Sequence, residues 1–234
     1  MKFNLITILG PTATGKTKLA VQLADCFNGE IISADSRQVY RGMNIGTGKD
    51  LSEYFIDGRQ IPYHLIDIID PTEEFNLFSF QQSFYKSFDE IKSKNKLPFL
   101  VGGTGMYLSS VLQKYTLGKA NFEKEKQILS SYSDDELRDI LKDLNPSLHN
   151  TTDLNDRERI IKAIAVSKTE QEKTEAQNIK SLVIGVNLSR DEIKKRITTR
   201  LKKRLDEEGM IDEVKTLMDS GVSYDKMIFF GLEY

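Results

Sequence analysis

A single cysteine, Cys26, stands in the 234-residue chain, so no disulfide can close within it. With only two histidines besides, a zinc-type Cys/His cluster is not available either. No apolar run approaches the roughly 20 residues that a spanning helix needs, and no membrane partner is expected. Charge of one sign is also missing. The 33 Lys and Arg nearly balance 35 Asp and Glu, a net charge of −2, so any surface for nucleic acid must be local rather than chain-wide. Internal repeats and low-complexity tracts are absent. Met1 leads almost at once into the apolar run Leu5–Leu9, which leaves no room for a signal peptide. A cytoplasmic protein is expected, with nothing that demands more than a monomer. The length suits one domain, or one domain with an insertion.

What is present begins with Gly10-Pro11-Thr12-Ala13-Thr14-Gly15-Lys16-Thr17. It fits the phosphate-loop pattern G-x-x-x-x-G-K-[ST] in the right context. An apolar β-branched run precedes it, and Leu19, Ala20, Leu23 and Ala24 follow at helical spacing. Backbone N–H groups and a helix N-terminus then face an anion. Lys16 would neutralise phosphate charge and the Thr17 hydroxyl would ligate Mg²⁺. The motif predicts a bound di- or triphosphate without saying which, or what attacks it.

Further strands are predicted at Glu30–Ala34, His64–Ile69, Pro98–Val101 and Leu182–Asn187, with helical patterns between several of them. Phe80, Phe84, Phe88 and Ile91 repeat as a core stripe. Such alternation predicts an α/β fold, a P-loop NTPase-like parallel sheet flanked by helices, with ligands at the carboxyl ends of the strands. After Gly118 the strand signals fade. Ser133-Asp134-Asp135-Glu136 reads as a capping box before the stripe Leu137, Ile140, Leu141, Leu144, and Ile160, Ile161, Ala163 and Ile164 suggest another helix. Ser167–Lys180 is polar and reads as a loop. The predicted organisation is a first core part at 1–117, a small all-helical insertion at 118–155, and a second core part at 156–234. In that last part Ser189 caps a long helix carrying Ile193, Ile197, Leu201 and Leu205, with Gly209 as its stop, and Ile211–Met218 forms another.

Three constellations carry possible chemistry. Asp35 follows the second strand, on the phosphate-loop rim, where a carboxylate serves as general base, Mg²⁺ partner or turn residue. Gly102-Gly103-Thr104-Gly105 ends another strand and opens a helix, either as a plain αβ turn or as a second polar cradle. Arg190 to Arg204 holds eight basic and two acidic residues. Arg196 and Arg200, four apart, share a face that either is solvated or supplies cations to a leaving group. His64, in His64–Asp70, is read as a local hydrogen-bonding residue rather than a metal ligand.

Taken together, these motifs resemble the bacterial tRNA dimethylallyltransferases, the tRNA isopentenyl-transfer family. The resemblance rests on Gly10–Thr17, the run from Ser33 to Met43, Ile45-Gly46-Thr47, His64–Pro71 and Val101–Gly105. It continues through Asn155-Asp156, Arg159-Ile160-Ile161, Arg196, Arg200, Glu208-Gly209 and Asp212-Glu213-Val214. It implies dimethylallyl diphosphate at the phosphate loop with ATP not required, although the loop itself is a nucleotide- and ATP-binding pattern. It also implies an acceptor in tRNA, the N6 amine of the adenine beside the anticodon's third base. On that pattern Asp35 takes the N6 proton and Thr104 supports the reacting centre. Lys16, Thr17 with Mg²⁺, the loop residues Gly10 to Thr17, Arg196 and Arg200 hold the diphosphate. Asp35, Ser36, Arg37, Gln38, Thr104, Asp156, Arg157 and Arg159 face tRNA, and the helical insertion grips the anticodon stem. The chain departs from the family pattern at Lys162 and Ala165, where Arg and Glu are usual, and at Asn44, where Asp is usual. Family members continue past Phe230-Gly231-Leu232-Glu233-Tyr234, so a truncated C-terminus is expected. Rival readings are an adenylate isopentenyltransferase, a small-molecule kinase using ATP at the same loop, and a non-catalytic tRNA-binding paralogue.

Overall fold

In the computed structural model, which describes residues 2–118, 120–146, 154–168 and 178–231, the β-branched run Leu5–Leu9 forms the buried strand β1. The strands β2 (Gly29–Ala34), β5 (Tyr63–His64), β6 (Leu97–Gly102) and β7 (Ser181–Gly185) join it in one sheet, in the order β5-β2-β6-β1-β7. Every pairing in that sheet is parallel. A parallel sheet needs apolar cover on both faces, and the alternation along each strand supplies it. Ile6, Ile8, Ile31 and Phe99 pack with α1 (Lys16–Cys26) through Ala20, Val21 and Ala24. Leu5, Ile32 and Leu100 face the other way, against Phe80, Phe84, Phe88 and Ile91 of α2 (Leu77–Ser93) and Tyr107, Leu108 and Val111 of α3 (Gly105–Leu112). This is the parallel α/β architecture expected from the sequence.

A small hairpin, β3 (Phe55–Ile56) with β4 (Arg59–Gln60), turns through Asp57 and Gly58, both at positive φ. The run His64–Ile69 is not the strand the sequence suggested. Only Tyr63–His64 pairs with β2. Leu65 and Asp67 take left-handed φ values of 62° and 56°, which turn the chain out of the sheet before it returns to bridge Tyr40 through Ile69. The apolar residues persuaded the pattern, and the backbone conformation overrides it.

The chain divides into two compact units, Met1–Lys114 with Gln177–Tyr234, and Tyr115–Ala176. The second is helical: α4 (Phe122–Ile128), α5 (Asp134–Leu144) and α6 (Arg157–Lys168). Ser133 and Glu136 close the expected capping box. Leu129, Leu137, Leu141, Ile160, Ile161 and Ile164 form the core of this unit. That core draws α6 into the unit, which therefore reaches further along the chain than the expected 118–155. Of the polar stretch Ser167–Lys180, residues 169–177 lie outside the described ones.

Three helices complete the first unit: α7 (Arg190–Asp206), α8 (Met210–Asp219) and α9 (Tyr224–Phe230). Ser189 caps α7 by accepting from the Glu192 N–H. Its apolar stripe is only partly covered: Ile197, Leu201 and Leu205 remain 39–44% exposed among the described residues. The buried member of α7 is Arg204, which donates to the Gly46 carbonyl at 3.2 Å. Gly209, expected as the stop of α7, instead occupies the left-handed N-cap of α8.

Candidate active site

The carboxyl ends of β1, β6 and β2, three neighbours in the sheet, deliver the phosphate loop, the Gly102–Gly105 turn and Asp35 to one rim. After β1, the phosphate loop runs from Gly10 to Gly15 and opens α1 at Lys16. A Cβ at Gly10 would run into the Val186 carbonyl, so the loop leaves β1 by a path that only glycine fits. The Pro11 carbonyl accepts from Thr14 Oγ1 at 2.9 Å and from Lys16 Nζ at 2.6 Å, which closes the loop on itself.

Asp35 follows β2. Its Oδ1 accepts from the backbone N–H of Arg37 at 2.9 Å and of Gln38 at 3.3 Å, so the carboxylate shapes its own turn. Gln38 Oε1 accepts from Ser33 Oγ at 3.2 Å. Thr104 follows β6 and joins that turn: its Oγ1 accepts from the Ser36 N–H at 3.2 Å, and its own N–H donates to the Ala34 carbonyl at 3.3 Å. The close approach of β6 to β2 here requires Gly102, since a Cβ would meet the Ala34 carbonyl. Gly103 in turn lies against Gly10 and Lys16.

One open cavity of about 980 Å³ collects the rim. Thr12, Ala13, Gly15, Lys16 and Thr17 line it from the phosphate loop, and Asp35, Arg37 and Gln38 from the β2 turn. Arg196 and Arg200 line it from α7. The basic helix face therefore reaches the rim rather than facing solvent alone. Arg196 is held by Glu192 at 2.7 Å and extends Nη1 to the Ala13 carbonyl at 3.5 Å. Burial holds the Lys16 ammonium below the usual lysine range. The Asp35 carboxylate opposes that shift and Arg200 adds to it, so the three groups feel one another across the cavity. Gly10, Pro11, Thr14, Ser36 and Thr104 are not among the lining residues, though Ser36 and Thr104 tie the two neighbouring turns together.

The sequence reading missed the other wall. Residues 44–50 also line the cavity, Asp50 among them as a carboxylate, and Glu53 adds a second. Lys49 is buried within this wall. Its ammonium donates to the Tyr40 carbonyl at 2.8 Å, Asn44 Oδ1 at 3.3 Å and Asp67 Oδ1 at 2.5 Å. Asp67, part of the supposed strand, is thus an ion-pair partner. Ile45-Gly46-Thr47 entered the resemblance without a role.

His64 has the local role expected of it. Its Nε2 meets Glu30 Oε2 at 2.8 Å, and Lys96 and Lys94 reach the same carboxylate at 2.8 and 3.5 Å. Among the described residues no group of three or more His, Cys, Asp or Glu is placed to hold a metal ion. Thr17 lines the cavity, and its hydroxyl is the kind of single oxygen ligand that a Mg²⁺ ion keeping most of its waters would accept.

Asp156, Arg157 and Arg159 belong to the helical unit and are not among the residues that line the cavity. Arg157 donates to Asp134 at 2.5 Å and to the carbonyls of Leu129, Ser130 and Tyr132 at 3.3, 3.2 and 2.8 Å, a clamp on the end of α4. Asp156 Oδ1 accepts from the Arg159 N–H at 3.0 Å. No described helix is long and apolar enough to cross a membrane.

Known proteins are similar to this chain in sequence and fold. The model of the family described as IPP transferase matches residues 38–234, and that described as Isopentenyl transferase matches residues 3–68. The tRNA dimethylallyltransferase 1 of Syntrophus aciditrophicus strain SB is 52% identical over 240 residues, covering 100% of this chain and 78% of the relative. Among solved structures, the full-length tRNA isopentenylpyrophosphate transferase of Bacillus halodurans superposes with a TM-score of 0.63 at 38% identity, over 94% of this chain and 72% of that one. A eukaryotic dimethylallyltransferase acting on tRNA gives a TM-score of 0.72 at 25% identity, over 93% of this chain and 56% of that one. With a family model spanning most of its length and a relative half identical throughout, the chain belongs to the IPP transferase family, that of the tRNA dimethylallyltransferases.

Proposed function

We propose that this protein transfers a dimethylallyl group from dimethylallyl diphosphate to N6 of the adenine beside the anticodon in tRNA, releasing pyrophosphate. The observation that carries the reading is the meeting of Asp35, Lys16 and the α7 arginines around one cavity. A base and a set of diphosphate cations on facing sides suit a displacement in which a nucleophile gives up a proton and an anion leaves.

The adenine leaves its stack to enter the cavity. Its N6 forms a bond to the allylic carbon while the bond from that carbon to the diphosphate oxygen breaks, and the electron pair departs with pyrophosphate. The N6 proton passes to Asp35, whose turn holds the carboxylate in place. Lys16, the loop N–H groups, Arg196 and Arg200 bear the charge that grows on the leaving group. Thr17 would hold Mg²⁺, which would supply further neutralisation there. Thr104 fixes the Asp35 turn through Ser36. Arg37 and Gln38 at the cavity edge, with Ser36 behind them, face the RNA. Asp156, Arg157 and Arg159 offer the helical unit's surface to the anticodon stem, where phosphate contacts give affinity and splayed bases give specificity. The protein acts as a monomer in the cytoplasm.

The test is nucleoside mass spectrometry after incubation with dimethylallyl diphosphate, Mg²⁺, unmodified tRNA and AMP together. The five-carbon group is expected on tRNA adenine. Its appearance only on AMP would reject the acceptor, and its absence from both would reject the chemistry.

A further inference from the structure

The wall formed by residues 44–50 is held from outside the cavity, and by one side chain above all. Glu213, in the first turn of α8, accepts four hydrogen bonds from three consecutive backbone N–H groups. Its Oε2 takes Asn44 at 2.9 Å and Ile45 at 2.8 Å, and its Oε1 takes Ile45 at 3.1 Å and Gly46 at 3.0 Å. A fork of this kind fixes the orientation of the peptides it grips. Gly46 is held at its other backbone group as well, its carbonyl accepting from Arg204 Nη1 at 3.2 Å. The next turn then brings Gly48, at a φ of 67°, against the guanidinium groups of α7. A Cβ there would collide with Arg204 and come within 3.5 Å of Arg200 Nη1. The backbone of 44–48 therefore joins Glu213 to Arg204 through hydrogen bonds and passes close to Arg200, whose charge is felt at Lys16.

We infer that Glu213 is a positioning residue for the diphosphate site: by clasping the backbone of residues 44–46 it sets the wall against which Arg200 is aligned toward the leaving group. This rests on the proposed prenyl transfer and adds to it a residue that never meets substrate. Three features of the sequence become intelligible together. Glycine at 48 gives the guanidinium groups room. Lys49 ties the far end of the wall to the Tyr40 carbonyl and Asp67. Gly209, in a left-handed conformation, starts α8 where its first turn presents Glu213 to the wall.

The test compares wild type with Glu213→Ala, Glu213→Gln and, as a control on the same helix, the exposed Asp219→Ala. Glu213→Gln keeps one oxygen and turns an NH₂ toward backbone donors, so part of the clasp survives. Steady-state kinetics give KM for dimethylallyl diphosphate, KM for tRNA and kcat separately, and calorimetry gives the Kd of inorganic pyrophosphate. Circular-dichroism melting checks that each variant is folded. Glu213→Ala should raise the donor KM and the pyrophosphate Kd about tenfold to a hundredfold, because it leaves three N–H groups without their acceptor. Glu213→Gln should fall between, Asp219→Ala should match wild type, and the tRNA KM should move less than about twofold in all of them. A folded Glu213→Ala protein with donor KM and pyrophosphate Kd both near wild type overturns the inference, as does a loss confined to the tRNA KM. If wild type binds pyrophosphate yet modifies no tRNA, the proposed function fails, and the clasp is judged on the pyrophosphate series alone.

Discussion

Asp35 has two jobs that one substitution can separate. Its Oδ1 accepts the N–H groups of Arg37 and Gln38, and in the proposed reaction its basicity takes the N6 proton. Asp35→Ala removes both. Two hydrogen bonds at about 1 kcal/mol each make a structural loss of about 2 kcal/mol, which lowers Tm by about 4–8 °C in a chain of this size. Asp35→Asn keeps an oxygen where Oδ1 stands, so the turn survives and Tm should stay within about 2 °C of wild type. The chemistry does not survive, because an amide is no base at neutral pH. General-base catalysis supplies about 10²–10⁴ in rate, equivalent to about 3–5 kcal/mol of barrier. The assay is single-turnover transfer of labelled dimethylallyl to tRNA at saturating donor, with tRNA affinity measured in parallel. Asp35→Asn should lose at least about a hundredfold in the transfer step while still binding tRNA. A rate within about threefold of wild type in a protein of unchanged Tm would refute the assignment of Asp35 as base. A loss in Asp35→Ala that Asp35→Asn fully restores would reduce the residue to a turn former.

The other expectations concern charge and close packing. Lys16→Met removes a charge-assisted contact to the diphosphate and should raise the donor KM by about tenfold to a hundredfold with tRNA binding intact; a change in tRNA affinity alone would show the two sites reversed. Gly102→Ala forces a methyl group against the Ala34 carbonyl and should cost about 1–3 kcal/mol, visible as a drop in Tm of several degrees; an unchanged melting curve would mean that the two strands separate freely at this point. Glu30 is 2% exposed. Burial alone would raise its pKa, but hydrogen bonds from Lys96 and His64 and the charges of Lys96 and Lys94 outweigh it, so the carboxyl titrates below its usual value. A depressed carboxylate contributes stability that is present above its unfolded pKa of about 4.3 and lost as pH falls through the lower folded value. Melting from neutrality downward should therefore fall more steeply below about pH 4.3 in wild type than in Glu30→Gln, and parallel curves would remove Glu30 from the acid response.

The sequence showed the sheet and the chemical rim more clearly than it showed what holds them. Leu5–Leu9, the aromatic stripe of α2 and the capping box of α5 were legible because each is a local pattern whose period matches its burial. Asp35 and the phosphate loop were legible because a strand's end fixes where the next residue points. His64–Ile69 misled because left-handed residues at Leu65 and Asp67 leave no trace in hydrophobic periodicity. The short helices α4 and α9 and the hairpin after Leu51–Tyr54 fall below the length at which a period becomes visible. The wall at 44–50 was out of reach for a different reason. Its order comes from Glu213 and Arg204, more than 150 residues away in sequence, and no local rule couples such positions.

The strand order also sets a length scale. β6 lies between β2 and β1, so the turn bearing Asp35 and the loop bearing Lys16 stand two strand spacings apart, about 10 Å. The backbone ladder works as a ruler. In the proposed reaction an acceptor nitrogen served by β2 and a leaving diphosphate served by β1 meet above β6, whose end carries Gly102, Gly103 and Thr104. Exchanging loop residues can alter which molecules are taken up, but the reach from proton acceptor to leaving group is written into the hydrogen-bonded register of the sheet. Changing that reach would take a different strand order, not a different side chain.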